Sequence, residues 1–237
     1  MRTPILNEHA VTMLQRDYQA NLPDTFMGDF DLSPEDSDWL LTDKFALMCG
    51  VIVDQSVPAN RAWQLPKRLR DRIGEQNWSA AWFATHQADL LTAIQTKPAL
   101  HRFPKTMAQN LASLGQTLVT EANGDAEQFI STTSFEELEA RLSPIHGMGP
   151  KKVNALALII VLDLKQSLTG MDKSKSLFDV HLTRILSDYL HRPATAAIAN
   201  VVCQQIDPTM PARAATYLWR LDRQHRTLTS IITQPAS

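Results

Sequence analysis

The sequence predicts an all-α protein, on three observations. Apolar residues recur at helical spacing in one segment after another, no run alternates with the period of a strand, and prolines repeatedly stand where helices begin. With 237 residues, the chain can bury a substantial core in one large domain or two lobes.

The elements follow in order. Ser33-Pro34-Glu35-Asp36 has the form of a helix start, with a serine cap, a proline in the first position and acids in the first turn. From Thr42, the residues Phe45, Met48, Cys49 and Ile52 lie at i, i+3, i+4 and i+7, which predicts a buried helix ending near Asp54-Gln55. Val57-Pro58 opens another, with Ala62, Trp63 and Leu65 on its apolar side, and Pro66 is expected to kink or divide it. Residues 78–94 read as one helix through Trp82, Phe83, Leu90, Leu91 and Ile94. His101-Arg102-Phe103-Pro104 reads as a turn, after which Pro104 opens a helix along Met107, Leu111, Leu114 and Leu118. Phe135, Leu138 and Leu142 mark a short helix, and an apolar helix follows Pro150. Val180, Leu182, Ile185, Leu186, Tyr189 and Leu190 form a helical stripe, and residues 194–206 and 212–226 read as two more helices. The polar stretch 169–176 is expected to be a loop between lobes.

Bulk properties set limits. Hydrophobic residues at 44% and charged residues at 20% are ordinary for a globular chain and argue against disorder. Cys49 and Cys203, the two cysteines, stand in apolar surroundings and read as buried thiols of a reducing compartment; two are too few for a four-cysteine cluster or zinc site. No second matched ligand pair accompanies His146 or His181, so no metal site is expected. Met1-Arg2-Thr3-Pro4-Ile5-Leu6-Asn7-Glu8-His9 lacks the apolar core of a secretory signal, and the most apolar run, 153–164, is too short for a membrane span. A cytoplasmic protein is expected. Net charge is −2 and pI about 6.4, against gripping a polyanion by bulk charge alone. Lys67, Arg68, Arg70 and Arg72, and again Arg220, Arg223 and Arg226, are basic clusters from which a local positive face could be built.

The chemistry-bearing stretch is Leu142-Ser143-Pro144-Ile145-His146-Gly147-Met148-Gly149-Pro150-Lys151-Lys152-Val153, followed by Phe178-Asp179-Val180-His181. Two glycines around one apolar residue suit a tight hairpin between helices. Pro150 suits the first helical position, and the helix start leaves amides that attract phosphate. Amides near Gly147, Gly149 and Lys151 would hold that phosphate, with Lys152 adding charge. Asp179 follows as an isolated carboxylate, and anion binding beside one acid points to chemistry on a nucleic acid; as a local feature it also suits a helix N-cap.

These segments resemble the helix-hairpin-helix DNA glycosylases, the superfamily of endonuclease III, 8-oxoguanine glycosylase and the alkylbase glycosylases. Members share a Leu-Pro-Gly-x-Gly hairpin, a following helix and an aspartate in a Val-Asp-x-His-like segment; here Ile145-His146 replace Leu-Pro, and Phe-Asp-Val-His carries Asp179. Val51-Ile52-Val53-Asp54-Gln55-Ser56 is similar to the segment whose glutamine probes the duplex beside the flipped base. Phe103-Pro104-Lys105-Thr106-Met107-Ala108 is similar to the helix start preceding the hairpin, so the resemblance spans 45–190.

The resemblance implies a two-lobed fold: residues 45–176 as a helical barrel holding the hairpin (about 135–162), and 1–44 with 177–237 as the second lobe. It implies a monomeric glycosylase of base excision repair, nucleoid-associated, that acts on double-stranded DNA carrying a damaged base or abasic site. No iron–sulfur cluster is implied, and a monovalent cation could sit at the hairpin. Asp179 would stabilise positive charge on the sugar and help activate the nucleophile. Lys151, two positions past Gly149, would be the Schiff-base lysine of a bifunctional member with lyase activity; a shift of one residue would give Lys152. Gln55, Gly147, Met148, Gly149, Pro150 and Lys152 would contact DNA, and Asp54 would line the base pocket. Trp63, Trp78 and Trp82 are candidates for stacking on a base or for the core. Two other readings stand: a non-catalytic helix-hairpin-helix protein that binds DNA structure, and a helical interaction protein.

Overall fold

Helices account for every regular element among residues 5–233, the part of the chain that the computed structural model describes; residues 1–4 and 234–237, which belong to the expected terminal lobe and include the start of the segment read as no secretory signal, lie outside it. Fourteen α-helices are described: α1 (Glu8–Ala20), α2 (Pro34–Thr42), α3 (Lys44–Val53), α4 (Ala59–Ile73), α5 (Ala80–Thr85), α6 (Gln87–Gln95), α7 (Pro104–Ala122), α8 (Ala126–Ile130), α9 (Phe135–Leu142), α10 (Pro150–Leu158), α11 (Val180–Leu190), α12 (Ala196–Ile206), α13 (Pro211–Arg223) and α14 (Leu228–Ile232). Among the described residues no strand forms, and one isolated bridge joins Ser134 to Thr169. No described helix is long and apolar enough to cross a membrane.

Side-chain caps set most helix starts. Ser33 Oγ accepts from the Asp36 amide and Pro34 takes the first position of α2, as its sequence predicts. Asp43 caps α3, whose residues 45–53 are all buried: this is the central helix, enclosed on every side. Pro104 opens α7.

Two expectations need correction. Residues 78–94 are two helices, because His86 leaves the helical region at φ −119 and ψ 43, lays its ring on Trp82 (centroids 4.5 Å apart) and ends α5. Pro66 does not divide α4. It removes one backbone donor, while Trp63, Leu65 and Leu69 on either side of it bury in the core and hold both halves together. α3 starts at Lys44, one residue before the expected lobe boundary at 45.

α5 and α6 pack on α7, and α3 packs on α4, α7 and α10. At the other end α1 packs on α12 and α14, and α11 and α12 pack on α13. The early chain is tied to α13 by polar contacts: the Tyr18 hydroxyl donates to Asp207 Oδ2 at 2.5 Å, Arg213 reaches that same carboxylate, and the Tyr217 hydroxyl donates to Asp17. α10 continues into a π-helical turn, Ile159–Asp163. The Asp163 carboxylate accepts from the Thr25 hydroxyl and the Phe26 and Met27 amides, fixing the 3-10 turn Met27–Phe30. That turn lays Phe30 on Trp63 of α4, rings 5.3 Å apart and 13° from parallel.

Candidate active site

The hairpin between α9 and α10 is built as its glycines suggest, though for two different reasons. Gly147 has φ +83, and a Cβ there would collide with the Asn110 side chain, so glycine is required. Gly149 has an ordinary φ of −75 and caps α10; a Cβ there would meet nothing within 4 Å. The expectation that both glycines serve the turn is thus half corrected: glycine at 149 keeps the space before the helix end clear. The amides of Gly147, Gly149 and Lys151 donate to no other described residue, whereas the Met148 amide donates to Ile145 and the Lys152 amide to Gly149.

The strand of chain that returns to this end is held by the core. Asn154, fully buried on α10, accepts from the Lys175 amide, and Asn200 accepts from the Ser176 amide and hydroxyl. Asp179 therefore arrives beside α10. Its Oδ1 accepts from the His181 and Leu182 amides and caps α11, while Oδ2 lies 3.9 Å from Lys151 Nζ. Oδ1 thus realises the cap reading, and Oδ2 is left turned toward Lys151.

Lys151 and Lys152 diverge. The Lys151 side chain is 42% exposed. Lys152 is buried, donates to the Ile52 carbonyl at 2.5 Å at the end of α3, and lies 3.5 Å from Gln55 Oε1. Burial pulls its ammonium down to about 8, with Asp54 opposing the shift and Lys151 reinforcing it. Lys152 and Met148 are expected to contact DNA; both side chains are buried, each pointing from the hairpin into the core, which leaves their backbone, not their side chains, for such a contact. Pro150 and Gln55 are exposed.

These groups line one cavity of about 1010 Å³, with α3, α4, the hairpin, α11 and α13 around it. Asp54, Gln55, Lys151, Lys152 and Asp179 all border it, as do Phe30, Trp63, His181, Thr216 and Trp219. Burial pushes the Asp54 carboxyl above its ordinary range; Lys151 and Lys152 draw it back, and Asp179 adds to the rise. His181 Nδ1 pairs with Asp222 Oδ2 at 2.6 Å, and Arg184 meets the same oxygen at 2.7 Å.

Several site neighbours escaped the sequence. Phe30 sits in a 3-10 turn with no periodic signal, and Trp219 reads as one more apolar residue of a helix. Phe103 is 40% exposed, with the Arg102 guanidinium over its ring. His101 joins it to Gln55: Nε2 lies 3.0 Å from the Gln55 carbonyl, and Nδ1 accepts from the Phe103 amide. Only the oddity of an aromatic residue before Pro104 could have marked it. Of the tryptophans, Trp63 borders the cavity, while Trp78 packs with Trp39, Phe45 and Phe83 and Trp82 packs with His86.

The basic clusters do not form a free positive face. Lys67 pairs with Asp36 at 2.6 Å, Arg70 with Glu75, Arg220 with Asp29 at 2.8 Å, Arg223 with Asp31 at 3.4 Å and Arg226 with Asp17 at 2.7 Å. Arg72 donates to the carbonyls of Ala93, Thr96 and Pro98. The early acids and the later bases neutralise each other. Among the described residues, no group of three or more His, Cys, Asp or Glu could hold a metal ion. Both cysteines are free and buried, and burial raises each thiol.

No protein-family model matches the chain, and no curated protein matches it.

Proposed function

We propose that this protein is a two-lobed, all-helical DNA glycosylase of base excision repair, acting as a monomer on double-stranded DNA. The observation that supports this best is the convergence of three kinds of group on one cavity: three undonated amides at the start of α10, the Asp179 carboxylate and the Lys151 ammonium, the last two 3.9 Å apart. A phosphate on the Gly147, Gly149 and Lys151 amides would fix the backbone of one nucleotide. Its base would turn out of the stack into the cavity, with Gln55 and the exposed Phe103 ring at the vacated position.

The chemistry then follows from charge. As the N-glycosidic bond breaks, its electron pair leaves with the base and the sugar becomes cationic. Asp179 Oδ2 would set a negative charge against that cation. Water attacking the sugar carbon completes hydrolysis, its proton passing to the carboxylate. If the Lys151 amine attacks instead, after giving a proton to Asp179, a Schiff base forms and strand nicking follows. The lobes, 45–176 and the two terminal segments, would meet at this cavity; the packing of α1 on α12 and α14 supports that division.

The test is a panel of duplexes, each with one lesion or an abasic site, scored for base release and for borohydride trapping. Wild type should release at least one base, and Asp179→Asn should bind but release none. Loss of trapping in Lys151→Ala but not in Lys152→Ala would assign the nucleophile. Binding without release from any duplex would make the chain a DNA-structure binder, and absence of binding would remove DNA from its function altogether.

A further inference from the structure

Asp54 stands apart from the other charged groups of the cavity. It ends α3, its amide donating to the Gly50 carbonyl, and its carboxyl makes no hydrogen bond or ion pair with any described residue. The charged groups that act on it are engaged: Asp179 caps α11, Lys151 lies 3.9 Å from Asp179, and Lys152 donates to Ile52. Farther round, Asp29 holds Arg220 and Asp222 holds His181 and Arg184. A part-buried carboxyl without donors is costly unless a bound molecule supplies them. Two more polar atoms in cavity-lining residues are buried without a partner, Trp63 Nε1 and Thr216 Oγ1. Phe30 and Trp63, stacked on each other, also border this cavity. A cavity lined by aromatic rings and an unpaired carboxyl fits a heterocycle that carries its own N–H groups.

We infer that Asp54 reads the edge of the extruded base and selects a guanine-type edge, in which an exocyclic amino group stands next to a ring N–H, against edges that lack one of the two. This rests on the glycosylase reading. The physical reason is complementarity. An ionised carboxylate accepts two parallel N–H bonds from such an edge. An adenine- or cytosine-type edge sets a ring-nitrogen acceptor, and an imide edge such as that of uracil a carbonyl oxygen, against the second carboxylate oxygen. Lys151 and Lys152 favour the ionised form of Asp54, against the burial that raises its affinity for the proton.

One pair of lesions isolates this edge: 8-oxoguanine against 8-oxohypoxanthine, in the same duplex. Single-turnover release by the full chain should favour the aminated member by about tenfold, the scale of one good bidentate contact. Asp54→Asn presents one donor and one acceptor in place of two acceptors, so that preference should shrink to near parity or reverse. Its melting temperature and its affinity for abasic duplex should not fall, since the side chain has no hydrogen-bond partner in the fold. Equal release of both members by wild type, an undiminished preference in Asp54→Asn, or release of neither while abasic DNA is still bound would each overturn the inference and leave the glycosylase reading standing. Absence of any release and of any DNA binding would remove the glycosylase reading itself, and this inference with it.

Discussion

Asp179 divides its two carboxylate oxygens between the amides of His181 and Leu182 and the ammonium of Lys151. The two roles separate by substitution. Asp179→Asn keeps an acceptor for the helix end, so the fold should stay intact while base release disappears. Asp179→Ala should in addition lose about 1 kcal/mol of stability, the ordinary value of an N-cap, measured by urea unfolding. The neighbouring lysines carry a second prediction. Lys152 holds its proton less firmly in the folded chain, about 8 against 10.5 in water, because burial disfavours the ammonium. Between those values the unfolded chain binds more protons, so raising the pH through that window stabilises the fold. Compared at about pH 7.5 and about pH 10, the unfolding free energy of wild type should gain on that of Lys152→Met. A constant difference would contradict this. The hairpin and Asp179 were legible because each requires a particular residue type at a particular backbone position. The fates of Lys151 and Lys152 were not: consecutive helical residues point about 100° apart, and two identical side chains carry no mark of which faces the core.

At the scale of elements, close approach decides. α5 and α7 meet at Gly115, where an added Cβ would lie 2.6 Å from both the Ala80 carbonyl oxygen and the Ala84 amide nitrogen. Those are backbone atoms of a packed helix and cannot swing away. Gly115→Ala should therefore cost about 1–3 kcal/mol despite the better helix propensity of alanine, read as a lowered urea midpoint. A stabilised variant would mean that the two helices are not held this tightly. The all-helical class and most helix starts were readable from spacing, because caps and prolines act locally. The break at His86 was not, since the apolar positions of α5 and α6 continue in phase across it and the ring stack on Trp82 is a tertiary event. Nor was the continuity of α4, where burial on both sides of Pro66 outweighs one missing hydrogen bond.

For the whole molecule, charge is spent internally. Most of the basic residues that look free in the sequence are tied to acids or carbonyls, several of them from the first forty residues. Among the described residues Arg61, next in the chain to cavity-lining Asn60, and Arg102 and Lys105, beside Phe103 in the chain, form no ion pair, and Lys151 meets only Asp179, at 3.9 Å. Each neutralised phosphate contributes about −0.9 to the slope of log K against log salt, so duplex binding should show a slope no steeper than about −4. A markedly steeper slope would mean that the internal ion pairs open on DNA. The Asp163 latch has a different kind of consequence. It is the clasp that brings Phe30, a residue far from the hairpin in the chain, over the indole of Trp63. A protein in which Asp163 no longer holds that turn would retain the hairpin amides, Asp179 and Lys151, but one side of its chamber would stand unroofed. On the glycosylase reading such a protein would grasp without choosing, and discrimination would prove to be lent to the site by residues far from it in the chain.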